Sequence, residues 1–299
     1  MSIISSTKSL LLSIRWAVCW HLQYFAVKLR ELIPTRLKSL ELCDTDNVLI
    51  IVPHADDEWI GCYSVLSKKK KGITCCYLNM YGNDYSEENI KKRTSEINAS
   101  AKFWGFKLDV VANDSINVIM NIIKSNNVCF VPSPYDWHPE HRKAFSLFYE
   151  AYSMMDNDVK KNVQVYYYSV SVPHSKNEEL KYLPLNKQEV ESKWSDFQNI
   201  YSSQSFMPSV RYKLQLRLVP KKVGYAAQCF VQADKKRLAK DYALIGITDI
   251  TEALNQSSHD IYNILKSRSI VDKVVYNERY RLRLREADMK QYVVLPLHE

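Results

Sequence analysis

The stretch Asn47-Val-Leu-Ile-Ile-Val-Pro-His-Ala-Asp-Asp-Glu-Trp-Ile-Gly-Cys62 decides how this chain folds. Its apolar run at residues 48–52 predicts a buried strand that ends at Pro53, and a helix is predicted from Trp59. Four polar residues lie between the two: His54, Asp56, Asp57 and Glu58. Polar side chains at the end of a parallel strand occupy the usual position of an α/β active site. The stretch therefore predicts an α/β fold and part of a functional site.

Apolar strands alternate with helices along the chain that follows. The predicted strands are residues 73–80, 108–111, 128–131 and 163–170, and the predicted helices are 59–71, 86–104, 115–125 and 141–154. This alternation is typical of a Rossmann-like, mostly parallel sheet flanked by helices. The strand at 128–131 runs out shortly before a second polar cluster, His138-Pro-Glu-His141. Because parallel strands end at one edge of the sheet, we expect the two polar clusters to meet there.

The pattern changes beyond residue 175. A helix is predicted over residues 187–204, and two later segments, Arg211–Leu218 and Arg279–Arg285, alternate between apolar and cationic residues. Period two predicts half-exposed antiparallel strands, which form a C-terminal extension and can pair with each other. The arginine faces have two interpretations, a solvated sheet surface and a site for an anionic ligand, and the pattern favours the first.

Residues 1–44 are predicted to form an N-terminal amphipathic helical segment. Arg15, His21 and Gln23 interrupt its apolar patches, so the apolar length falls short of the ~20 residues that a membrane span needs. The segment has no small-residue cleavage site, which argues against a signal peptide. Two interpretations remain. The favoured one is a helix docked on the domain, and the other is an interfacial helix that gives residues 8–30 a peripheral contact with an anionic membrane.

Composition excludes several classes of protein. The 299 residues are 46% apolar and 25% charged, which is typical of a globular chain. The net charge is +8, of which +5 lies in the first forty residues, so the nearly neutral body argues against nucleic-acid binding. Seven scattered cysteines without a CxxC motif predict reduced thiols and a cytoplasmic location, with membrane association if the N-terminal helix is interfacial. The oligomeric state has no signature in the sequence.

The two polar clusters together contain the parts of a zinc hydrolase. His54 and Asp57, three residues apart on a turn, can point at one ion, and His141 can complete the set from the second loop. Imidazole nitrogen and carboxylate oxygen both bind Zn²⁺, and hydrolytic zinc sites use three protein ligands and one water. The sequence therefore predicts a Zn²⁺ site, and another divalent metal fits the same ligands.

The remaining polar groups have predicted roles in amide hydrolysis. Asp56 is the candidate base, and His138, as an imidazolium, is the candidate for stabilising the oxyanion. Asp136 is expected to hold the ring of His138, while Glu58 braces the loop and Glu140 faces solvent. The structural alternative is an acidic helix start in the first cluster and a polar turn in the second. Because both polar clusters occur at the ends of strands and each contains a histidine, this structural alternative is disfavoured.

The same residues resemble a known family. Pro53-His-Ala-Asp-Asp-Glu58 and Asp136-Trp-His-Pro-Glu-His141 are similar to the motifs P/A-H-P-D-D-E and H-P-D-H of the PIG-L/LmbE-like zinc-dependent N-acetylglucosamine deacetylases. Three shorter matches follow the family's order: Arg93-Thr-Ser-Glu96, Trp104-Gly105 and Tyr201-Ser-Ser-Gln204. The agreement extends from about residue 45 to 205. Ala55 and Glu140 depart from the motifs at positions that carry no chemistry.

The resemblance implies a deacetylase domain over residues 45–299, with a core at 45–205 and C-terminal strands and helices at 206–299. It implies removal of the N-acetyl group from an amino sugar that is nucleotide-, lipid- or small-molecule-linked. It also implies zinc on the three ligands above and a substrate contact by Arg93. The alternative is a non-catalytic glycan-binding or scaffold protein that retains the fold. A phosphoesterase would require a two-metal carboxylate set, which is not visible in the sequence.

Overall fold

The computed structural model describes residues 3–29, 34–81, 85–111, 115–256, 283–287 and 291–295. The strands in this part of the chain are β1 (Leu37–Ser39), β2 (Val48–Val52), β3 (Ile73–Tyr77), β4 (Lys107–Val110), β5 (Val128–Pro132), β6 (Gln164–Tyr168), β7 (Leu180–Leu185), β8 (Ala226–Ala233), β9 (Arg283–Ala287) and β10 (Gln291–Leu295). The α-helices are α1 (Ile3–Leu29), α2 (Asp57–Lys68), α3 (Glu87–Trp104), α4 (Ile116–Lys124), α5 (Pro139–Ser153), α6 (Asn157–Lys160), α7 (Lys187–Ile200), α8 (Ser209–Leu216), α9 (Lys235–Ile245) and α10 (Thr248–Gln256).

Eight strands form one mixed sheet in the order β1-β7-β8-β6-β5-β2-β3-β4. The pairs among β2 to β6 are parallel, as is the pair of β1 and β7, and β8 runs antiparallel to both of its neighbours. The predicted Rossmann-like, mostly parallel architecture is confirmed. The predicted elements between residues 48 and 200 are present, with ends shifted by a few residues.

The strand order explains where the polar clusters meet. From β2 the chain adds β3 and β4 on one side, then returns to place β5 on the other side of β2. Such a reversal leaves a crevice at the carboxyl ends of the two central strands, which is where open α/β sheets bind ligands. Residues 53–57 follow β2 and residues 133–141 follow β5, so both polar clusters lie at this crevice.

Both faces of the sheet are covered, as the all-apolar sequence of β2 requires. Val48, Ile50 and Val52 point into one core, which includes aromatic residues of α2 and α7. Leu49 and Ile51 point into the other core, which α4, α5 and α9 cover. All five β2 side chains are buried, so the strand that carries the first polar cluster is fixed from both sides.

The N-terminal helix α1 packs on α8. Trp20, Tyr24 and Val27 of α1 are buried in a small cluster with Leu214 and Leu218. The interpretation of this segment as a helix docked on the domain therefore holds for this face. Among the described residues, no helix is both long and apolar enough to cross a membrane.

The prediction of a strand at Arg211–Leu218 is wrong, because most of this segment is the helix α8. The alternating pattern in the sequence arises from two separate sets of apolar residues on α8 and just after it. Tyr212 and Leu216, four residues apart, face the sheet core, while Leu214 and Leu218 face α1. A helix held between two apolar surfaces needs two such stripes, and stripes offset by two residues imitate the period of a strand.

Because the first arginine-rich segment is mostly helical, it does not form the strand pair with the second segment that the sequence left open. The second segment lies partly outside the described residues, and its last three residues begin β9. β9 pairs antiparallel with β10, in a register that sets Arg285 opposite Val293. The structure thus contains a pair of antiparallel C-terminal strands, in which the partner of β9 is β10 and not the segment at 211–218.

Candidate metal centre

The loop after β2 has an unusual backbone. Asp56 has a φ of 130°, a conformation that favours glycine. Strain of this kind costs on the order of 1–3 kcal/mol and persists where the surroundings fix the loop. Here the carbonyl of Asp56 accepts hydrogen bonds from the backbone N–H groups of Trp59 and Ile60, each at 2.9 Å. The start of α2 therefore holds Asp56 in place and aims the neighbouring side chains at the crevice.

Three predicted ligands converge at this point. His54 Nδ1 lies 3.2 Å from Asp57 Oδ2, and His141 Nε2 lies 3.3 Å from the same oxygen. The two ring nitrogens are 3.2 Å apart. A candidate ligand from α5 thus meets one from the loop after β2, His54, and one from the start of α2, Asp57, as the arrangement of strand ends predicts.

This triangle has the dimensions of one face of a zinc tetrahedron. Bonds of about 2.0–2.1 Å at tetrahedral angles place neighbouring ligand atoms about 3.3 Å apart. Asp57 and His141 are each only 2% exposed, so the face opens towards solvent mainly on the side of His54. The donor atoms His54 Nδ1, Asp57 Oδ2 and His141 Nε2 therefore fit a metal ion with one position left for water.

His138 brings a further imidazole to the same place. Ring nitrogens of His54, His138 and His141 all lie within 4.8 Å of one another, an arrangement that can also hold a metal ion. The rings of His138 and His141 stack, with centroids 4.9 Å apart. His138 Nδ1 lies 2.6 Å from a carboxylate oxygen of Glu140, so Glu140 does not simply face solvent as predicted. The set with Asp57 is the tighter of the two.

Asp136 contacts a different histidine ring from the one predicted. Its Oδ2 lies 3.4 Å from His141 Nδ1, while Oδ1 accepts a hydrogen bond from the backbone N–H of His138. The backbone N–H of Ser171 also donates to Oδ2, at 3.1 Å. The expectation that Asp136 holds the ring of His138 is therefore corrected. Asp136 lies behind the candidate ligand His141, as carboxylates behind metal-binding histidines commonly do.

Buried charges around His141 are mutually compensating. Burial by itself favours neutral forms, but Asp57 and Asp136 outweigh it and hold the pKa of His141 well above its usual value. Burial likewise opposes ionisation of Asp136, but His141 and two backbone N–H groups overcome it and lower its pKa to about 2. Burial and the neighbouring imidazoles of His141 and His54 lower the pKa of His138 to about 4. The predicted imidazolium at His138 is thus not the favoured form in this arrangement.

Asp56 does not join the ligand triangle. Its Oδ2 lies 2.8 Å from Nη2 of Arg93, and the same guanidinium nitrogen donates to the backbone carbonyl of Ala55. Burial raises the pKa of Asp56 to about 6, even though the guanidinium of Arg93 favours the carboxylate. Arg93 is itself 4% exposed. The structure therefore places Arg93, which the family resemblance implies as a substrate contact, behind Asp56 as a residue that positions it.

Glu58 is a brace, as the sequence predicts. It is fully buried and accepts hydrogen bonds from Tyr201 Oη and, at 2.7 Å, from Ser100 Oγ. Burial raises its pKa to about 7, against the effect of these two donors. Glu58 thus connects the start of α2 to α3 and to the segment after α7.

Two of the shorter sequence matches are in direct contact. Glu96 of α3 accepts hydrogen bonds from the backbone N–H of Ser203 at 2.8 Å and from its hydroxyl at 2.6 Å. Arg93 donates to the same hydroxyl, at 3.2 Å. The Arg-x-x-Glu and Tyr-x-Ser-Gln patterns therefore form one polar joint behind Asp56. Sequence reasoning identified both patterns but had no physical signal that they would meet.

A second feature that the sequence does not reveal is a break in α2. Cys62 has non-helical angles (φ −130°, ψ 19°), which mark a kink inside α2. The amide of Gln228 bridges this kink, since it accepts from Ser64 N–H at 2.8 Å and donates to Ile60 O at 2.7 Å. The buried ammonium of Lys193 also donates to Ile60 O, at 2.8 Å. Burial lowers the pKa of Lys193 to about 7.

Comparison of the sequence with models of known families and with curated proteins finds no match. Among solved structures, GalB, the 4-carboxy-2-hydroxymuconate hydratase from Pseudomonas putida KT2440, is similar with a TM-score of 0.50 and 13% identity, over 64% of this chain and 97% of that chain. The conserved protein TT1542 from Thermus thermophilus has a TM-score of 0.48 and 16% identity, over 64% of this chain and 95% of that one. At these identities the likeness to GalB concerns the fold.

Proposed function

We propose that this protein is a metal-dependent hydrolase that removes the N-acetyl group from an amino-sugar conjugate. One observation carries the proposal. His54, Asp57 and His141 form a triangle with sides of 3.2–3.3 Å, and the separate carboxylate of Asp56 lies beside it. The structure supports a hydrolytic metal site, while the acetyl group and the sugar are inferred from the sequence resemblance.

The residues divide the work of amide hydrolysis between them. A bound Zn²⁺ would lower the pKa of a coordinated water from 15.7 to roughly 7 and polarise the acyl carbonyl. Asp56 is the carboxylate left free to take the proton of the attacking water and to deliver it to the leaving nitrogen. Arg93 fixes the orientation of Asp56 through its 2.8 Å contact.

His138 is proposed to donate a hydrogen bond to the oxyanion. Its ring lies 4.7 Å from that of His54, on the more exposed side of the site, where a substrate can approach. Glu140 lies 2.6 Å from Nδ1, and its negative charge favours the protonated ring, against the effect of burial and of the neighbouring imidazoles. Loss of one such donor typically lowers kcat by about 10²–10³-fold. His138→Gln is therefore expected to retain metal binding and to lose activity by that amount.

The direct test is a panel of N-acetylated sugar conjugates incubated with metal-reconstituted protein. Acetate release is the measurement, with and without a chelator. Asp56→Asn is expected to reduce the rate by about 10²–10⁴-fold, the range for loss of a general base. Asp158→Asn is the matched control, because Asp158 is exposed on α6 and its substitution should leave the rate unchanged.

The result also separates the alternatives. A protein that binds metal but releases acetate from no member of the panel would support the glycan-binding or scaffold interpretation, or a different reaction on this fold. GalB is named a hydratase, so the fold itself does not select hydrolysis. An unchanged rate in Asp56→Asn would refute the assignment of the base, whatever the substrate.

A further inference from the structure

The N-terminal helix α1 has two apolar faces, of which α8 covers one. The inner face, Trp20, Tyr24 and Val27, is buried against Leu214 and Leu218. The outer face consists of five large apolar residues that are between 52% and 83% exposed: Ile14, Val18, Leu22, Phe25 and Leu29. Soluble proteins seldom align so many exposed apolar side chains on one helix, and such a patch marks an interaction surface.

The outer face is a continuous stripe. With 3.6 residues per turn, its five side chains fall within an arc of about 80°, and the inner face is centred about 150° away. Arg15 is exposed next to one edge of the stripe, and Lys28 lies next to the other edge with its ammonium over the ring of Tyr24. An apolar stripe bordered by cationic side chains is the arrangement of helices that lie in the plane of a membrane surface.

The charge around this apolar stripe indicates which kind of surface it binds. The first forty residues carry a net charge of +5. A second copy of the chain would bring the same positive charge to the contact, whereas a bilayer that contains anionic lipids offers the opposite charge together with an apolar layer. No described helix can cross a membrane, so the contact is with its surface. We propose that α1 binds an anionic membrane surface through its outer face.

The inner face connects α1 to the metal centre. The guanidinium of Arg211 lies 5.5 Å from the ring of Trp20 and donates to the backbone carbonyl of Ser171. The N–H of Ser171 in turn donates to Asp136, the residue behind His141. The helix that contacts the membrane is therefore packed on the catalytic domain through buried contacts, so a docked α1 would hold the active site at a membrane surface.

Vesicle binding by the full-length protein tests the proposal. We expect co-sedimentation with vesicles of phosphatidylcholine and phosphatidylserine, little with pure phosphatidylcholine, and weaker binding at high salt, because salt screens exposed charges. The double variant Leu22→Gln/Phe25→Gln should lose at least about tenfold in affinity, because it removes two large apolar groups from the contact. Val110→Gln/Val118→Gln is the control, since these valines are exposed on β4 and α4.

The remaining outcomes are distinct. Circular dichroism and the melting temperature establish that both double variants are folded. If the wild-type protein does not bind anionic vesicles, or if the outer-face variant binds them equally well, the proposal is overturned. A concentration-dependent dimer in sedimentation velocity, abolished in the outer-face variant without any vesicle binding, would assign the face to a second copy. Vesicle binding by Asp56→Asn should equal that of the wild type, so this test does not depend on the proposed reaction.

Discussion

The loop after β2 and the loop after β5 each supply part of the candidate metal centre, but they are held in different ways. In the first loop, Asp56, Asp57 and Glu58 are all buried. Asp56 and Glu58 are contacted by side chains from α3, and Glu58 also by Tyr201 after α7. The helix that follows is braced by Gln228. In the second loop, Asp136 is the one buried carboxylate, and the side chain of His138 is 32% exposed.

This difference indicates a division of labour. The first loop carries a strained backbone and two ligands, so it needs support from several elements that are distant in sequence. The second loop carries one candidate ligand at the start of a helix. Asp136 accepts two backbone N–H bonds there, and Arg142 of α5 donates to the backbone carbonyls of Asp136 and Trp137. Substitutions in the two loops should therefore affect metal affinity and stability to different degrees.

The largest effect is expected for Asp57→Asn. Asp57 Oδ2 is common to two sides of the ligand triangle, and an amide oxygen is a neutral and weaker ligand. The variant should lose metal during dialysis, and its metal affinity should fall by more than the 10–100-fold typical of outer-shell groups. Metal content by elemental analysis is the measurement. Full retention of metal would instead indicate that His54, His138 and His141 form the ligand set.

A smaller effect is expected for Asp136→Asn, and it tests which histidine Asp136 serves. Because Asp136 contacts the ring of His141, the variant should lower metal affinity by about 10–100-fold. Glu140→Gln is the matched variant, since Glu140 contacts the ring of His138 instead. It should change metal affinity little and reduce the rate of acetate release. Equal losses of metal affinity in the two variants would contradict this assignment.

The residues that could be predicted from the sequence are those whose signal is local. β2 is apolar throughout and is followed by four polar residues among the next six, so both the strand and the candidate ligands after it could be recognised. His141 could be added because parallel strands end at one edge of a sheet. α8 could not be recognised, because its two apolar faces produce a pattern of period two. Its helical form depends on α1, which is almost two hundred residues earlier in the chain.

The contacts behind the ligands could not be predicted for a related reason. Which ring Asp136 holds depends on side-chain directions around the start of α5, and a spacing of two or five residues does not decide between His138 and His141. Arg93 was assigned by resemblance to substrate contact, but its burial behind Asp56 requires the packing of α3 against the first loop. Gln228 bridges the kink of α2 at Cys62, and α2 contains no proline that would have predicted a kink there.

The last expected effect concerns stability, and it arises from Lys193 behind the first loop. Burial lowers the pKa of Lys193 from 10.5 to about 7, so between these values the unfolded chain binds the additional proton. Stability should therefore rise with pH in this window, by up to about 2–3 kcal/mol between pH 6 and 9 relative to a variant without the amine. In Lys193→Met this contribution is absent, and Gln228 still satisfies the Ile60 carbonyl. Urea unfolding of wild type and variant at several pH values measures the difference.

The control is Lys92→Met, at an exposed position of α3, and its stability should depend on pH as that of the wild type does. Parallel pH profiles for the wild type and Lys193→Met would contradict this prediction, because they would show that the pKa of Lys193 is the same in the folded and unfolded chain.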